Sequence, residues 1–433
     1  MAAIYPFRGY RYSPEQVGDL NKVVTPPYDK ISKEEHQQYL QASPYNISRL
    51  ILGSGEEEGD YYAEAARTLE EWVDEEILQQ DSDLAFYPYF QEYKVDGETK
   101  LRRGFVGLGE LSDELEAKAH EDIMEAPKSD RMELLRATES NFGHIFMLYS
   151  DPERKVNQLL EDYVSESEPL VNVKDQDKNV HKLWRMDDQD LVSTVQDHFD
   201  KASMYIADGH HRYQAALQFR DECLEEGWSS IDHAGFDVRM MTFVNTEDPG
   251  LTILPTHRLL HGLSGFSPRG LLEKAREDFV ISRFNTAEDL FDKMDGAPED
   301  KHVFGYRSKG GRAYWSLTYQ KDVLDASMAP EKSSRWRGLD VSILHKALLE
   351  RHLGITEEDL EQKNKVDYVR GRENAMDQLS QSGFQAVFFL NPTTVSEVLQ
   401  VADGGETMPQ KSTDFYPKLL TGPVIHRMNI DKE

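Results

Sequence analysis

Two hydrophobic periods run along the chain, and the switches between them predict its elements. LAFYPYFQEYKVDGETKLRRGFVGLGEL alternates apolar and polar positions on either side of Asp96 and Gly97, which predicts a hairpin. A period near 3.6 predicts helices over 60–79, 129–138, 153–163 and 188–201, and a further one over 340–353 that stops at Gly354. Ser32, with Glu35 three residues on, predicts a capped start for KEEHQQYLQ. Short apolar runs predict strands at 23–25, at the end of SPYNISRLIL, at 144–149, twice within 171–186, at 204–207 and at 239–244. The last of these is expected to lie beside 204–207. Gly310 and Gly311 mark a second hairpin.

Hairpins mixed with β-α units argue for an α+β fold, with mixed sheets and flanking helices, rather than a plain doubly wound sheet. Three segments are expected. Residues 1–110 form an N-terminal α+β segment with the hairpin. Residues 111–265 form a core segment carrying DGHHR. Residues 266–433 form a C-terminal α+β segment that completes the site with the MPQKST loop.

Charge narrows the function classes. The chain has 49 Lys and Arg against 79 Asp and Glu, a net charge of -30. Such a field disfavours DNA or RNA as partners. It also requires that any anionic substrate find a locally positive pocket. Solubility in a salty cell is the bland explanation of the same excess. The one cysteine, Cys223, rules out an intramolecular disulfide and a Cys-rich zinc site, and suits a reducing cytoplasm. Arg8 and Arg11 interrupt any apolar core near the start, and no run approaches a membrane span, so a cytoplasmic protein without a membrane partner is expected.

The densest chemistry lies in MYIADGHHRYQAA, residues 204–216. The run reads as a strand, a glycine turn and the start of a helix over 213–226, with Tyr213, Ala216, Leu217 and Leu224 near one face. A helix start of this kind favours an anion. Gly209 permits close backbone approach, and Arg212 can grip phosphate oxygens through paired donors. His210 and His211 can donate, titrate or protonate a leaving oxygen, and Asp208 can take a proton, orient a histidine or hold magnesium. The competing readings are a helix capped by Asp208 with packed histidines, and a zinc site drawing on His120 or His257.

Other polar clusters compete for the same role. His120 and Glu121 pair a base with an acid, and Lys128 and Arg131 can neutralise transferring phosphoryl oxygens, with Ser129 capping the helix from Asp130. Lys411, Ser412 and Thr413 can hold a phosphate or carboxylate, although the glycine-rich lead of a P-loop is missing. Tyr28 and Asp29 can line a pocket mouth, and His257 and Arg258 can add positive charge. A solvated helix entrance or an ordinary turn would account for each cluster taken alone.

DGHHRYQAA resembles the Gly-X-His/Arg-Arg box of ParB/sulfiredoxin-like proteins, whose loop binds phosphate. More broadly, VVTPPYD, YNISRLIL, KSDRMELLRAT, YIADGHHRYQAA, LPTHRLLHG, LDVSILHKALLE and MPQKSTDFYPKLLTG resemble the family known as domain of unknown function 1015. One departure is Ile123, where the pattern after HED leads one to expect threonine. The fold's relatives include sulfiredoxins, ParB and an archaeal free serine kinase. The resemblance therefore implies a kinase using ATP or ADP on a small hydroxylated metabolite such as serine. Phosphates and a carboxylate, Asp208 or Glu121, would hold Mg2+. A phosphatase and a nucleotide-binding regulatory protein are the alternatives, and assembly as a homodimer is left open.

Overall fold

A computed structural model describes residues 3–54, 60–113, 125–298 and 300–433, with the backbone alone for 125–128. The packing divides into two units. The first runs to Thr252 and recovers Pro417–Glu433, and the second is Ile253–Tyr416. The expected segment boundaries lay at 110/111 and 265/266. The break instead follows sheet membership, because Val238–Asn245 belongs to one sheet and Thr256–His261 to another.

The first unit is built on an eight-stranded mixed sheet. Its strands are β1 (Ile4–Tyr5), β2 (Tyr87–Val95), β3 (Glu98–Glu110), β4 (Ile145–Tyr149), β5 (Val171–Lys174), β6 (Val180–Leu183), β7 (Met204–Asp208) and β8 (Val238–Asn245). The order is β7-β4-β8-β3-β2-β6-β5, with β1 on β3. The β2–β3 hairpin closes on Asp96 and Gly97, both at positive φ, as a two-residue primed turn requires. Only β4 and β8 pair in parallel among the strands of this sheet. β4 lies between β7 and β8, so the expected neighbours 204–207 and 239–244 share a sheet without touching along an edge. Every residue of β8 is buried.

Helices flank this sheet. Ser32 and Glu35 form the expected capping box of α1 (Lys33–Ala42). The expected strand at the end of SPYNISRLIL is instead α2 (Ser48–Leu52). The Asn46 side chain accepts from the Ser48 amide at 2.9 Å and donates to the Lys22 carbonyl at 2.7 Å, which starts a helical turn. Periodicity alone does not separate such short apolar runs. Further along lie α3 (Tyr61–Asp74), α4 (Glu125–Thr138), α5 (Lys155–Ser165), α6 (Gln189–Phe199) and α7 (His210–Glu225). Ser129 falls inside α4 and does not cap it.

The apolar surface of α7 is divided between two cores. Tyr213, Ala216 and Leu217 join the sheet core with Ile145, Met147 and Phe243. Ala215, Phe219 and Cys223 pack with Met132 and Leu135 of α4 and with Phe236. Leu224, expected on the buried face, is 58% exposed.

The second unit carries a six-stranded antiparallel sheet. Its strands are β9 (Thr256–His261), β10 (Phe279–Phe284), β11 (Val303–Ser308), β12 (Tyr314–Tyr319), β13 (Val366–Arg370) and β14 (Phe384–Phe389), in the order β10-β12-β11-β14-β9-β13. Leu259, Leu290, Val303, Val387 and Phe389 are in its core. Helix α8 (Pro268–Ala275) starts on the Ser267 side chain. No described helix is long and apolar enough to cross a membrane. The architecture is α+β.

Candidate functional site

Strand β7 ends at Asp208, and Gly209 turns the chain into α7. Gly209 adopts φ 97°, a left-handed conformation that L side chains avoid. A Cβ there would also lie 3.0 Å from Arg212 Nη2, so the guanidinium folds back over the turn. Arg212 Nη1 donates to the His144 carbonyl. Asp208 does not cap the helix; it accepts from Lys418 Nζ at 2.7 Å and lies 3.9 Å from Arg212 Nη2. Burial pushes its carboxyl upward, but Lys418 and Arg212, with Lys30 beyond, outweigh burial and hold it well below the ordinary range.

Arg212 lines a pocket that has an empty volume of about 460 Å³ including its mouth. Arg131 from α4 and Arg239 from β8 line the same pocket, with Tyr28, Gly143 and Thr421. The pocket wall is tied down by backbone bonds. The Thr25 amide donates to the Thr421 carbonyl at 3.2 Å, and the Thr421 amide returns to Thr25 at 2.8 Å. Arg131 donates through Nη2 to the Ile51 carbonyl at 3.0 Å and through Nε to Asp130 at 2.8 Å. Its guanidinium carbon lies 4.1 Å from the Tyr28 ring centroid, a cation–π contact.

Arg239 differs from both. It is 5% exposed, and among the described residues its Nε and Nη1 meet no hydrogen-bond partner. Burial, then Arg212 and Arg131, lower its pKa to about 9, so it remains cationic at neutral pH. A buried guanidinium with missing acceptors, facing two further cations, is costly unless an anion supplies both charge and acceptors. Nearby polar atoms are short of partners too: Asn141 Nδ2 and His144 Nε2. His426 pairs with Asn141 across a short antiparallel ladder, and His144 Nδ1 lies 2.6 Å from Thr242 Oγ1. Both histidines are held down to about 3, by burial and then by Arg212 and Arg239 for His144, and by burial and then Arg239 for His426, so they are neutral.

Comparison with known proteins gives a family and no activity. Residues 4–342 match the family described as "Protein of unknown function (DUF1015)". The chain belongs to that family. No curated protein matches it. Among solved structures, it is similar to a free serine kinase variant in complex with AMP, at 11% identity and TM-score 0.33, over 70% of this chain and 84% of that one. A conserved hypothetical protein from Pyrococcus furiosus is also similar, at 11% identity and TM-score 0.30 over 69% and 85%. So is C-terminally truncated SbnI from Staphylococcus aureus, at 11% identity and TM-score 0.31 over 70% and 81%.

In this DUF1015 chain the expected site residues are distributed unevenly. Arg131, Arg212 and Tyr28 share the pocket, and Gly209 supports Arg212. His210 is buried on the first turn of α7 and His211 is half-buried. His120 and Glu121 lie outside the described residues, as does the Lys128 side chain. Lys411, Ser412 and Thr413 belong to the second unit. There the Lys411 carbonyl accepts from Thr256 Oγ1 at 2.8 Å and from Arg258 Nη2 at 3.1 Å, and the Ser412 hydroxyl donates to the Pro409 carbonyl. His257 is also in the second unit and fully buried. Among the described residues, no three His, Cys, Asp or Glu side chains are grouped to hold a metal ion.

Sequence reading missed Arg239 and Lys418. The signal for Arg239 was a charge inside DVRMMTFVN, an otherwise apolar strand, and such a residue is either satisfied or waiting for a ligand.

Proposed function

We propose that this protein is a nucleotide-dependent phosphotransferase acting on a small hydroxylated metabolite, an amino acid such as serine being the leading acceptor. Arg131, Arg212 and Arg239 would hold phosphate groups of ATP or ADP. The observation that supports this reading is Arg239, buried without acceptors beside two other guanidiniums. The bidentate geometry of guanidinium suits phosphoryl oxygens, and preformed positive charge of this kind stabilises charge on a transferring group.

His120 and Glu121 are assigned the acid–base work on the acceptor hydroxyl, with His210 and His211 at the helix start and Lys128 on α4 as further candidates. Asp208 is already paired with Lys418, so a magnesium ion there would have to displace an ammonium. Phosphate oxygens would carry the ion instead, with Glu121 as the remaining carboxylate candidate.

Calorimetric titration of the full chain with ADP and MgCl2 tests the site. Saturable binding is expected, weakened by roughly tenfold or more in Arg212→Ala and Arg239→Gln, the scale of losing a hydrogen bond to a charged group. Unchanged binding in both variants overturns the assignment. Incubation with nucleotide and a panel of amino acids then separates transfer from binding. A phosphorylated amino acid supports the kinase, and binding without turnover across the panel reduces the protein to a nucleotide-binding module.

A further inference from the structure

The second unit contains a larger cleft that shares no residue with the arginine pocket. Its floor comes from strand pairing. β11 and β12 are antiparallel with Tyr306 opposite Trp315. Directly opposed residues of such a pair lie side by side on one face of the sheet. Leu272 and Arg276, from α8 and the residue after it, form one wall, and Arg312 from the β11–β12 turn contributes to another. Its free volume is about 500 Å³, within the size range of small-molecule clefts.

Three separate features of this cleft call for the same kind of occupant. Trp315 is only partly buried, leaving indole surface on the cleft. The Tyr306 hydroxyl is fully buried, with the Ser308 side chain, another residue of the cleft, as its hydrogen-bonding neighbour. Arg276 and Arg312 are exposed, and neither is in an ion pair among the described residues, whereas Arg269 on the same wall is held by Glu273 at 2.7 Å. In a chain of net charge -30, two unpaired guanidiniums beside an aromatic floor are not a general feature of the surface. Together these groups offer a stacking plane, a buried hydrogen-bonding hydroxyl and positive charge at the rim.

We propose that this cleft binds a small planar aromatic carboxylate. The ring lies on Trp315, the carboxylate meets Arg276 and Arg312, and a polar ring substituent reaches the Tyr306 hydroxyl. The reading does not depend on the phosphotransferase proposal, because no residue is shared.

The test uses the full chain with 4-hydroxybenzoate, benzoate and cyclohexanecarboxylate as probes, followed by calorimetry and tryptophan fluorescence. Saturable binding of 4-hydroxybenzoate is expected, with cyclohexanecarboxylate weaker because it cannot stack. Exchanging both Arg276 and Arg312 for serine should weaken 4-hydroxybenzoate by about tenfold or more, the loss of charged hydrogen bonds. Tyr306→Phe should weaken 4-hydroxybenzoate more than benzoate, and Trp315→Leu should abolish the fluorescence response. Arg239→Gln should leave all of these values unchanged, which keeps a failure here separate from a failure of the phosphate site. Absence of saturation at millimolar probe, or equal binding to wild type and the double arginine variant, overturns the proposal.

Discussion

Two buried arginines begin neighbouring stretches of sequence and meet opposite fates. Arg239 on β8 and Arg258 on β9 are 5% and 1% exposed. Arg258 is fully provided for. Its Nε points to His345 Nε2 at 3.3 Å, Nη1 donates to the Thr256 hydroxyl at 2.9 Å and to the Thr256 carbonyl, Nη2 reaches the Lys411 carbonyl at 3.1 Å, and the Tyr368 ring lies 5.2 Å away. Arg239 lacks acceptors for Nε and Nη1 and faces Arg131 and Arg212. Burial of a cation is common to both and therefore indicates nothing about function. What separates them is the remaining hydrogen-bond demand. One guanidinium ties the KST loop to its own sheet, and the other keeps two buried donors without acceptors among the described residues.

The largest expected effect comes from replacing each by a shape-matched apolar side chain. Arg258→Met leaves the Thr256 carbonyl without its side-chain donor and removes one of two donors from Lys411. Orphaned buried groups cost roughly 1–3 kcal/mol each, so a loss of about 3 kcal/mol is expected in urea unfolding. Arg239→Met removes an unsatisfied buried charge; since even a buried ion pair can be replaced by apolar side chains with an effect from neutral to about 1–4 kcal/mol stabilising, no loss of stability is expected. A loss confined to Arg258→Met in phosphate-free buffer supports the comparison. A loss of equal size in both variants breaks it.

Proton linkage gives a second contrast of nearly the same size. His144 and His426 in the first unit and His257 in the second are all held down to about 3, burial being the main cause of each shift. An unfolded histidine takes its proton near pH 6.5. Between pH 6.5 and 3 the unfolded chain therefore binds protons that the folded chain refuses, and stability falls as pH falls. The slope approaches about 1.4 kcal/mol per pH unit for each histidine. Arg239→Met should bring His426 partway back and flatten this slope, while a change at Arg239 should leave the contribution of His257 alone. Urea midpoints measured from pH 7 to pH 4 read both effects.

Phosphate should act on one arginine only. Any ligand confined to the folded state stabilises it by about 2.7 kcal/mol at one hundred times its Kd. Inorganic phosphate should therefore raise the Tm of the wild type and of Arg258→Met, but not that of Arg239→Met. A phosphate response that survives in Arg239→Met would place the anion elsewhere.

The sequence made the helix starts and the hairpin legible because local chemistry decides them: Ser32 with Glu35, Asp96 with Gly97, and the strand–glycine–helix run at 204–225 all formed as the pattern predicts. Residues 48–52 were misread because a five-residue apolar run has no resolvable period and the deciding contact, Asn46 to Lys22, is between separate segments. The site was legible only in part for the same reason. DGHHR announces Arg212 locally. That Arg239 is unsatisfied and Arg258 satisfied depends on partners up to 153 residues away, such as Lys411, and no single-segment pattern contains that information.

The smallest expected effect concerns the carboxylate beside the pocket. Asp208 and Lys418 have side chains 34% and 17% exposed, so solvent screens their bond and the pair is worth no more than about 1 kcal/mol. Lys418→Met should therefore cost little stability at pH 7. It should have a clearer consequence for binding, because Asp208 loses its main counter-cation and draws on Arg212, now 3.9 Å away, in competition with the bound anion. A few-fold loss of phosphate affinity is expected, recovered in a Lys418→Met, Asp208→Asn double variant. The acid limb gives the sign independently. Asp208 is depressed in the folded state, so its contribution is present above the ordinary carboxylate range near pH 4 and is lost as pH falls below it. Lys418→Met should shrink that acid-dependent loss. If affinity and acid limb both match the wild type, Lys418 is a surface pair with no bearing on the pocket, and Arg239 alone distinguishes the two arginine environments.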